Sequence, residues 1–486
     1  MKLKIEYLLL IIILLSTITF RLYFSLNTES FKSDDSYFHL RQVQNILQEH
    51  HLLKYDPLSY GGRIIVYPPL YHLLLALLSF GNVILIKIIS EILISTLVVI
   101  VYLITKELTG DGKSALFSAL LSAFIPGLIS HTLNELTVYT LALPLLFLAL
   151  YLFLKLENRR LLIMFLVSLA LLSLTHPLVF IFILVMLFYF FLIGGGALNA
   201  SKIEKEAAIL SILFVMLVSF IIYKKAFFTY GINIIWQNAP LNILVDKFKD
   251  LTPIDLVLNV GIFSLLLGSI GLYLGMTNEK KKSVYLFSSF MLGVLFLLSF
   301  RLITLSFGLV ILSIGFAIFT SITLRAIYKF LDVSKIGIAK NIFTIILLVL
   351  FIFFSFIPSY TIAKNSQSIS TEKLNDMLWI KYNTEKDAVI LGNLQEGNLI
   401  KTLGERKNVI DSNFLLAPSP VERINDVRVI YTGLSEAKAL SLTRKYDITT
   451  IYLSEDTKKA YNIKELNYAI GSRCFVKEEK FYVIKC

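Results

Sequence analysis

Two adjacent carboxylates, Asp34 and Asp35, open the stretch "SDDSYFHLRQVQNILQ", which follows directly on an apolar run long enough to cross a bilayer. Carboxylates there can cap a helix, because the unpaired N–H groups and the dipole of a first turn favour an anion. They can also act as a general base toward a group that attacks in a transfer reaction. Phe38, Leu40, Val43, Ile46 and Leu47 recur near helical spacing while Arg41, Gln44, Asn45 and Gln48 take the other side. That pattern predicts an amphipathic helix on a membrane surface, capped by Ser33 or Asp34. Capping is worth about 1 kcal/mol and is the commoner use of such an Asp. Neighbouring residues on a helix point in different directions, so one of the pair at most is expected to face a reacting centre.

Other residues invite a chemical reading. Arg301 interrupts the apolar "LLSFRLITLSFGLVILSIGFAIF" where cytoplasmic charge bias does not call for it. A guanidinium fork suits a phosphate, and interfacial snorkelling is the bland alternative. In "YDPLSYGGRIIVYPPLYHLL" a Gly-Gly turn precedes Tyr67 and two prolines, which predict a rigid entry into a helix. Trp236 in "INIIWQNAPLN" fits a groove for lipid or acceptor, or an interfacial anchor. His176, a lone His before Pro, reads as a satisfied loop residue. Lys87 and Glu91 in "LIKIISEIL" stand one turn apart and are expected to pair with each other.

The elements that carry these residues follow from composition. The chain has 486 residues, 56% hydrophobic and 16% charged, with a mean hydropathy of +0.74. This is an integral membrane protein. Spans are expected at 5–26, 83–106, 113–130, 138–156, 160–175, 177–195, 206–225, 255–276, 283–300, 302–327 and 341–358, about eleven in all. The basic segments "KELTGDGK", "KLENRR", "SKIEKE", "NEKKK" and "RAIYKFLDVSKIGIAK" then share one side, as the positive-inside rule requires. Much of the formal +12 charge is accounted for in this way, so nucleic acid is not an expected partner. The first apolar run sits behind Lys2 and Lys4 with no small-residue cleavage site, so it reads as a retained anchor with a cytoplasmic N-terminus.

An odd number of spans places the tail outside the cytoplasm. The expected organisation is a transmembrane domain over 1–360, with long external loops at 27–69 and 224–254, followed by a soluble α/β domain over 361–486. In the tail "DAVIL", "VRVIYT", "TTIYLS", "CFV" and "FYVIKC" read as strands, "SEAKALSLTRKY" and "DTKKAYNIKELNYAI" as helices. A hairpin turning at "KEEK" sets Cys474 opposite residues 482–484, leaving Cys486 poorly placed for a bridge.

"DSYFHLR" in the first external loop, with "YPPLYHLL" closing it, resembles the C-type (GT-C) superfamily of polyprenyl-phosphate-sugar-dependent glycosyltransferases, and within it the archaeal relatives of the catalytic oligosaccharyltransferase subunit. The resemblance implies an α-helical polytopic GT-C-like fold in a cell membrane. It makes Asp35 the catalytic carboxylate and Arg301 the donor-phosphate contact. The donor would be a sugar or oligosaccharide on a polyprenyl (dolichyl) phosphate or pyrophosphate. The acceptor would be an external protein, glycan or lipid, and transfer would invert the anomeric carbon.

The second acidic motif of that superfamily is reduced here: Thr137 and Tyr139 stand where an acidic pair would be, leaving Glu135 with Asn134 and His131. Asp250 or Asp255 is the counterpart of a fifth-loop acid, and Asp34 could share a ligand role. Magnesium or manganese is the cofactor the resemblance implies, while loss of the acidic pair weakens its cage. "NLQEG" replaces the aromatic-acidic segment that recognises a protein sequon, so Asn393, Gln395, Glu396 and Asn398, with Tyr67 and Trp236 from the loops, would meet a different acceptor or none at all. The competing reading is a membrane scaffold or lipid-linked-sugar transporter descended from that fold.

Overall fold

The structure, a computed structural model, describes residues 5–196, 198–246, 252–333, 339–366 and 368–486. Among these, seven helices are long and apolar enough to cross a membrane: Ile5–Leu26, Val83–Thr109, Pro177–Gly195, Lys202–Trp236, Lys282–Ser299, Leu305–Val333 and Lys340–Asn365. An eighth arises if Gly112–Ala123 and Pro126–Thr132, bent by 44°, form one span. The three remaining expected spans fall on shorter pieces. Tyr139–Leu154 contains Pro144, Arg159–Ser173 has 15 residues, and Pro253–Val260 is separated from Ile262–Leu274 by Gly261 at φ 84. A left-handed residue ends a helical hydrogen-bond ladder, and glycine reaches that conformation at little cost.

The chain divides into two compact units. The first comprises Met1–Glu29, Pro68–Ile222 and Leu244–Ser366. Its helices approach closely where side chains are smallest. A Cβ on Gly268 would stand 2.5 Å from the carbonyl oxygen of Phe316, and one on Gly271 would overlap that of Phe319. Thr323 Oγ1 donates to the Leu267 carbonyl at 2.6 Å in the same seam, which joins Ile262–Leu274 to Leu305–Val333. Small residues and hydroxyl bonds are the usual means by which helices associate in lipid.

The first and last of these helices run side by side in the same direction. Phe20 lies 6.0 Å from Phe356 and Phe24 lies 5.6 Å from Tyr360, centroid to centroid. Both chain segments therefore leave this unit at the same end. At that end Arg21 pairs with Glu91, and Lys87 donates to the carbonyls of Ser25 (3.0 Å) and Thr28 (2.7 Å). The partner of Glu91 is thus Arg21 of another helix, where an intrahelical couple with Lys87 was expected, because a buried carboxylate is best satisfied by a bidentate-capable guanidinium.

The second unit comprises Ser30–Tyr67, Tyr223–Ile243 and Gln367–Cys486, so residues of both long loops pack with the tail. The first loop contributes helix Asp34–Glu49 and a small antiparallel pair, β1 (Tyr55–Asp56) and β2 (Arg63–Ile64). The tail forms a mixed sheet from β3 (Val389–Leu391), β4 (Lys407–Asn408), β5 (Ile448–Tyr452), β6 (Phe475–Glu478) and β7 (Phe481–Ile484), in the order β4-β3-β5-β7-β6. The pairs β3/β4 and β3/β5 are parallel, while β5/β7 and β6/β7 are antiparallel. Helices Pro420–Thr432 and Glu436–Lys445 supply Val427, Ile430, Tyr431 and Leu442 to the core against Leu391, Ile451 and Tyr482.

Three expectations for the tail are corrected. The helix read over "DTKKAYNIKELNYAI" ends at Tyr461, after which Asn462 takes a left-handed conformation. "VRVIYT" is the end of helix Pro420–Thr432, since Val427, Ile430 and Tyr431 recur at helical spacing onto the sheet and Pro420 opens the helix. Cys474 and Cys486 are joined by a disulfide with their Cα atoms 5.0 Å apart. The turn falls at Glu479 and Lys480, one step later than read from the sequence, so Phe475 pairs with Ile484 and Lys485 donates to the Cys474 carbonyl. That register brings the last residue beside Cys474.

Candidate active site

Ser33 is extended, at φ −121 and ψ 157, and helix Asp34–Glu49 begins after it, but no side chain caps that helix. Asp34 turns instead to the short helix Gly397–Thr402. Its Oδ1 accepts from the Leu399 N–H at 2.8 Å, and its Oδ2 accepts from the Asn398 N–H at 3.3 Å and from Asn398 Nδ2 at 2.6 Å. The carboxylate thus takes two amides that the first turn of a helix leaves unpaired. Burial, reinforced by the charge of Asp35 and opposed by these donors, pushes Asp34 up to about 7.

Asp35 is exposed, as expected of a neighbour pointing in another direction. Its Oδ1 accepts from Ser412 Oγ at 2.5 Å, and Ser412 Oγ in turn lies 3.1 Å from Asn398 Nδ2. Asn398 is wholly buried and its Oδ1 has no hydrogen-bond partner among the described residues.

Several contacts fix the helix that bears these two acids. Arg41 grips Asp56 at 3.1 and 2.8 Å and donates to the Lys401 carbonyl at 3.2 Å. Thr402 Oγ1 donates to the Tyr37 carbonyl at 3.0 Å, and the Lys401 ammonium sits 5.4 Å from the centre of the Phe38 ring. Gly397 has no side chain because a Cβ there would stand 2.6 Å from Asp411 Cβ. Beneath lies a buried charge network: Asp411 accepts from Lys401 (2.9 Å), Arg63 (3.0 Å) and Ser59 (2.7 Å). Burial alone would raise Asp411, but the Lys401 ammonium and the Arg63 guanidinium outweigh it and hold its carboxyl well below the usual range.

Of the residues in "NLQEGN", only Gln395 is exposed. Asn393 donates to Thr457 Oγ1 at 2.9 Å. Glu396 is buried, accepting from the Asn393 N–H (3.0 Å), Thr457 (3.1 Å), Lys373 (3.2 Å) and Ser454. Glu396 therefore braces the tail from within and does not present its oxygens to an acceptor. Tyr67 is half-buried beside Phe38, their rings 6.3 Å apart. Trp236 is half-buried at the end of the 3-10 turn Gly231–Trp236, and nearby Asn238 Nδ2 reaches the Phe414 carbonyl at 3.5 Å.

In the first unit, Arg301 is exposed in the turn between Lys282–Ser299 and Leu305–Val333, at φ 54. His131 and Glu135 are half-buried around the end of Pro126–Thr132. The Asn134 N–H between them donates to Glu91 at 2.9 Å. His176 Nδ1 accepts from the Leu178 N–H at 3.0 Å, the local role expected of it. Asp250 lies outside the described residues. Among those described, no three His, Cys, Asp or Glu side chains gather as ligands for a metal ion.

Ser412 and the Arg63–Asp411 pair escaped the sequence reading. They meet residues more than 300 positions away in the chain, and no local spacing marks such a contact.

A helical membrane unit with a small mixed sheet in its tail is the fold of the C-type glycosyltransferases. The oligosaccharyltransferase of Archaeoglobus fulgidus, tethered to an acceptor peptide, superimposes with a TM-score of 0.72 at 14% identity, over 93% of this chain and 69% of that one. Other structures of that enzyme hold a dolichol-phosphate with an inhibitory peptide, or zinc and sulfate. ArnT from Cupriavidus metallidurans, bound to undecaprenyl phosphate, gives a TM-score of 0.55 at 10% identity, over 98% of this chain and 97% of that one. The arabinofuranosyltransferase AftD from Mycobacteria gives 0.58 at 14% identity, over 96% of this chain but 37% of its own. At these identities the likeness establishes the fold. By sequence, the chain belongs to DUF6541, a family of unknown function, whose profile matches residues 4–313. No curated protein matches it.

Proposed function

We propose that this multi-pass membrane protein is an inverting glycosyltransferase that moves a sugar or oligosaccharide from a polyprenyl (dolichyl) phosphate or pyrophosphate to an extracytoplasmic protein, glycan or lipid. The observation that carries this reading is the division of labour between two adjacent acids. Asp34 is buried and committed to backbone amides, whereas Asp35 is exposed with one oxygen held and the other open. Asp35 accepts the proton of the acceptor's hydroxyl or amide, the acceptor atom forms a bond to the anomeric carbon, and the bond from that carbon to the phosphate oxygen breaks. The polyprenyl phosphate leaves with the electron pair, and Arg301 is the cation that the family resemblance offers for its charge.

The disulfide between Cys474 and Cys486 suits an oxidising, extracytoplasmic compartment. Parallel exit of the first and last helices supports a first loop and a tail on that same side, and so a cytoplasmic N-terminus. His131, Glu135 and Asp250 are the residues offered for a magnesium or manganese ion. Asp34 is the poorest candidate, since both its oxygens already accept N–H donors.

The test uses membranes carrying the full chain, supplied in turn with radiolabelled dolichyl phosphate mannose, dolichyl phosphate glucose and dolichyl pyrophosphate oligosaccharide. Label should leave the lipid fraction with the wild type. Asp35→Asn should slow transfer by at least about a hundredfold, the scale of a lost general base, and Arg301→Ala should raise the donor concentration required. No turnover of any donor by the wild type, or equal turnover in both variants, overturns the reading.

A further inference from the structure

We infer that Ser412, seated by Asn398, is a positioning residue for Asp35, fixing which carboxylate oxygen is left to meet the acceptor. This rests on the catalytic reading of Asp35 above and adds residues that the sequence reading did not connect to it.

An exposed aspartate on a helix samples several rotamers, and confining it to one has an entropic cost. Ser412 supplies the constraint: its hydroxyl donates to Asp35 Oδ1 at 2.5 Å, which leaves Oδ2 open. A serine hydroxyl rotates freely unless something fixes its lone pairs. Here Asn398 Nδ2 approaches Ser412 Oγ at 3.1 Å, so the serine accepts from the amide and its own proton is sent toward Asp35. Asn398 has no freedom of its own. Its side chain is fully buried and its other Nδ2 proton goes to Asp34 Oδ2 at 2.6 Å.

The result is a directed chain in which the Asn398 amide donates to Asp34 and to Ser412, and Ser412 donates to Asp35. It explains why two acids stand side by side: the first anchors the donor chain whose last member orients the second. The titratable neighbours of Asp35 on its own helix are Asp34 and His39, and Ser412, which reaches it from the tail, is neutral.

The experiment measures kcat and KM on whichever of the three dolichyl donors the wild type turns over, in Ser412→Ala, Ser412→Thr and Asp35→Asn, with melting temperatures in detergent. A hydrogen bond to a charged group predicts a loss of about tenfold or more in kcat for Ser412→Ala, with KM for the donor and the melting temperature unchanged. Ser412→Thr, which keeps the hydroxyl, should restore kcat. Wild-type kcat in Ser412→Ala overturns the inference, as does equal impairment of the Ala and Thr variants accompanied by a lower melting temperature. If Asp35→Asn is inactive while Ser412→Ala is not, only the positioning role falls. If Asp35→Asn turns over normally, the catalytic reading itself falls.

Discussion

Arg21 Nε donates to Glu91 at 2.7 Å across two membrane helices, and Arg21 Nη2 donates to Thr132 Oγ1 at 2.8 Å. The second oxygen of Glu91 takes the Asn134 N–H, so this pair sets the backbone of the turn that carries His131 and Glu135. Both side chains are 2% exposed. Removing one partner leaves a buried charge, so Glu91→Ala should cost about 3–5 kcal/mol of stability. Arg21→Met combined with Glu91→Leu should recover much of that loss. Thermal unfolding in detergent checks both.

Asp34 makes stability depend on pH. Its folded value near 7 stands above the 3.8 of a free carboxyl, so the folded state holds the proton more tightly. The contribution is complete below the unfolded value and is lost as pH rises through the folded one. The melting temperature should therefore fall between about pH 4 and pH 7, and Asp34→Asn should flatten that slope. Asp411 acts in the opposite sense and only in acid: its stabilisation is present above the unfolded value and disappears well below it.

The seam at Gly271 tolerates nothing larger. A Cβ there would overlap the Phe319 carbonyl, which belongs to a rigid helical backbone. Gly271→Ala should force the two helices apart and cost about 1–3 kcal/mol, the range for overpacking a core. Gly194, where a Cβ meets nothing within 4 Å, is the control that should accept alanine without loss.

Cys474 and Cys486 close a loop with a sequence separation of 12. Loop-closure entropy assigns such a bridge about 3 kcal/mol. Reductant, or Cys486→Ser, should lower the melting temperature of the tail by several degrees, read by limited proteolysis of the 368–486 segment.

Much of the membrane unit was legible because lipid imposes a length on apolar runs. Eight of the eleven expected spans coincide with the seven long helices and the one bent pair. Of the other three, 255–276 is divided at Gly261, a backbone effect that a hydropathy window averages away, while Tyr139–Leu154 and Arg159–Ser173 are shorter helices of 16 and 15 residues. "DSYFHLR" correctly marked a helix with an acid at its head. The partners of the two acids there were invisible, since Asn398 and Leu399 meet Asp34, and Ser412 meets Asp35, through tertiary contact alone. The β-branched "VRVIYT" shows the same limit from the other side: strand propensity at Val427 to Thr432 yields to a helical stripe packed on the sheet.

The bond from Asn398 to Asp34 joins residues 364 positions apart in the chain. At roughly 5–20 residues per second of synthesis, the first-loop helix waits on the order of 20–70 seconds before the ribosome delivers its other half. During that interval Tyr37 and Phe38 lack the Thr402 hydroxyl and the Lys401 ammonium that the tail later sets against them. The biogenesis of the protein thus keeps its oldest loop waiting, with Asp34 unmatched, until its youngest residues arrive.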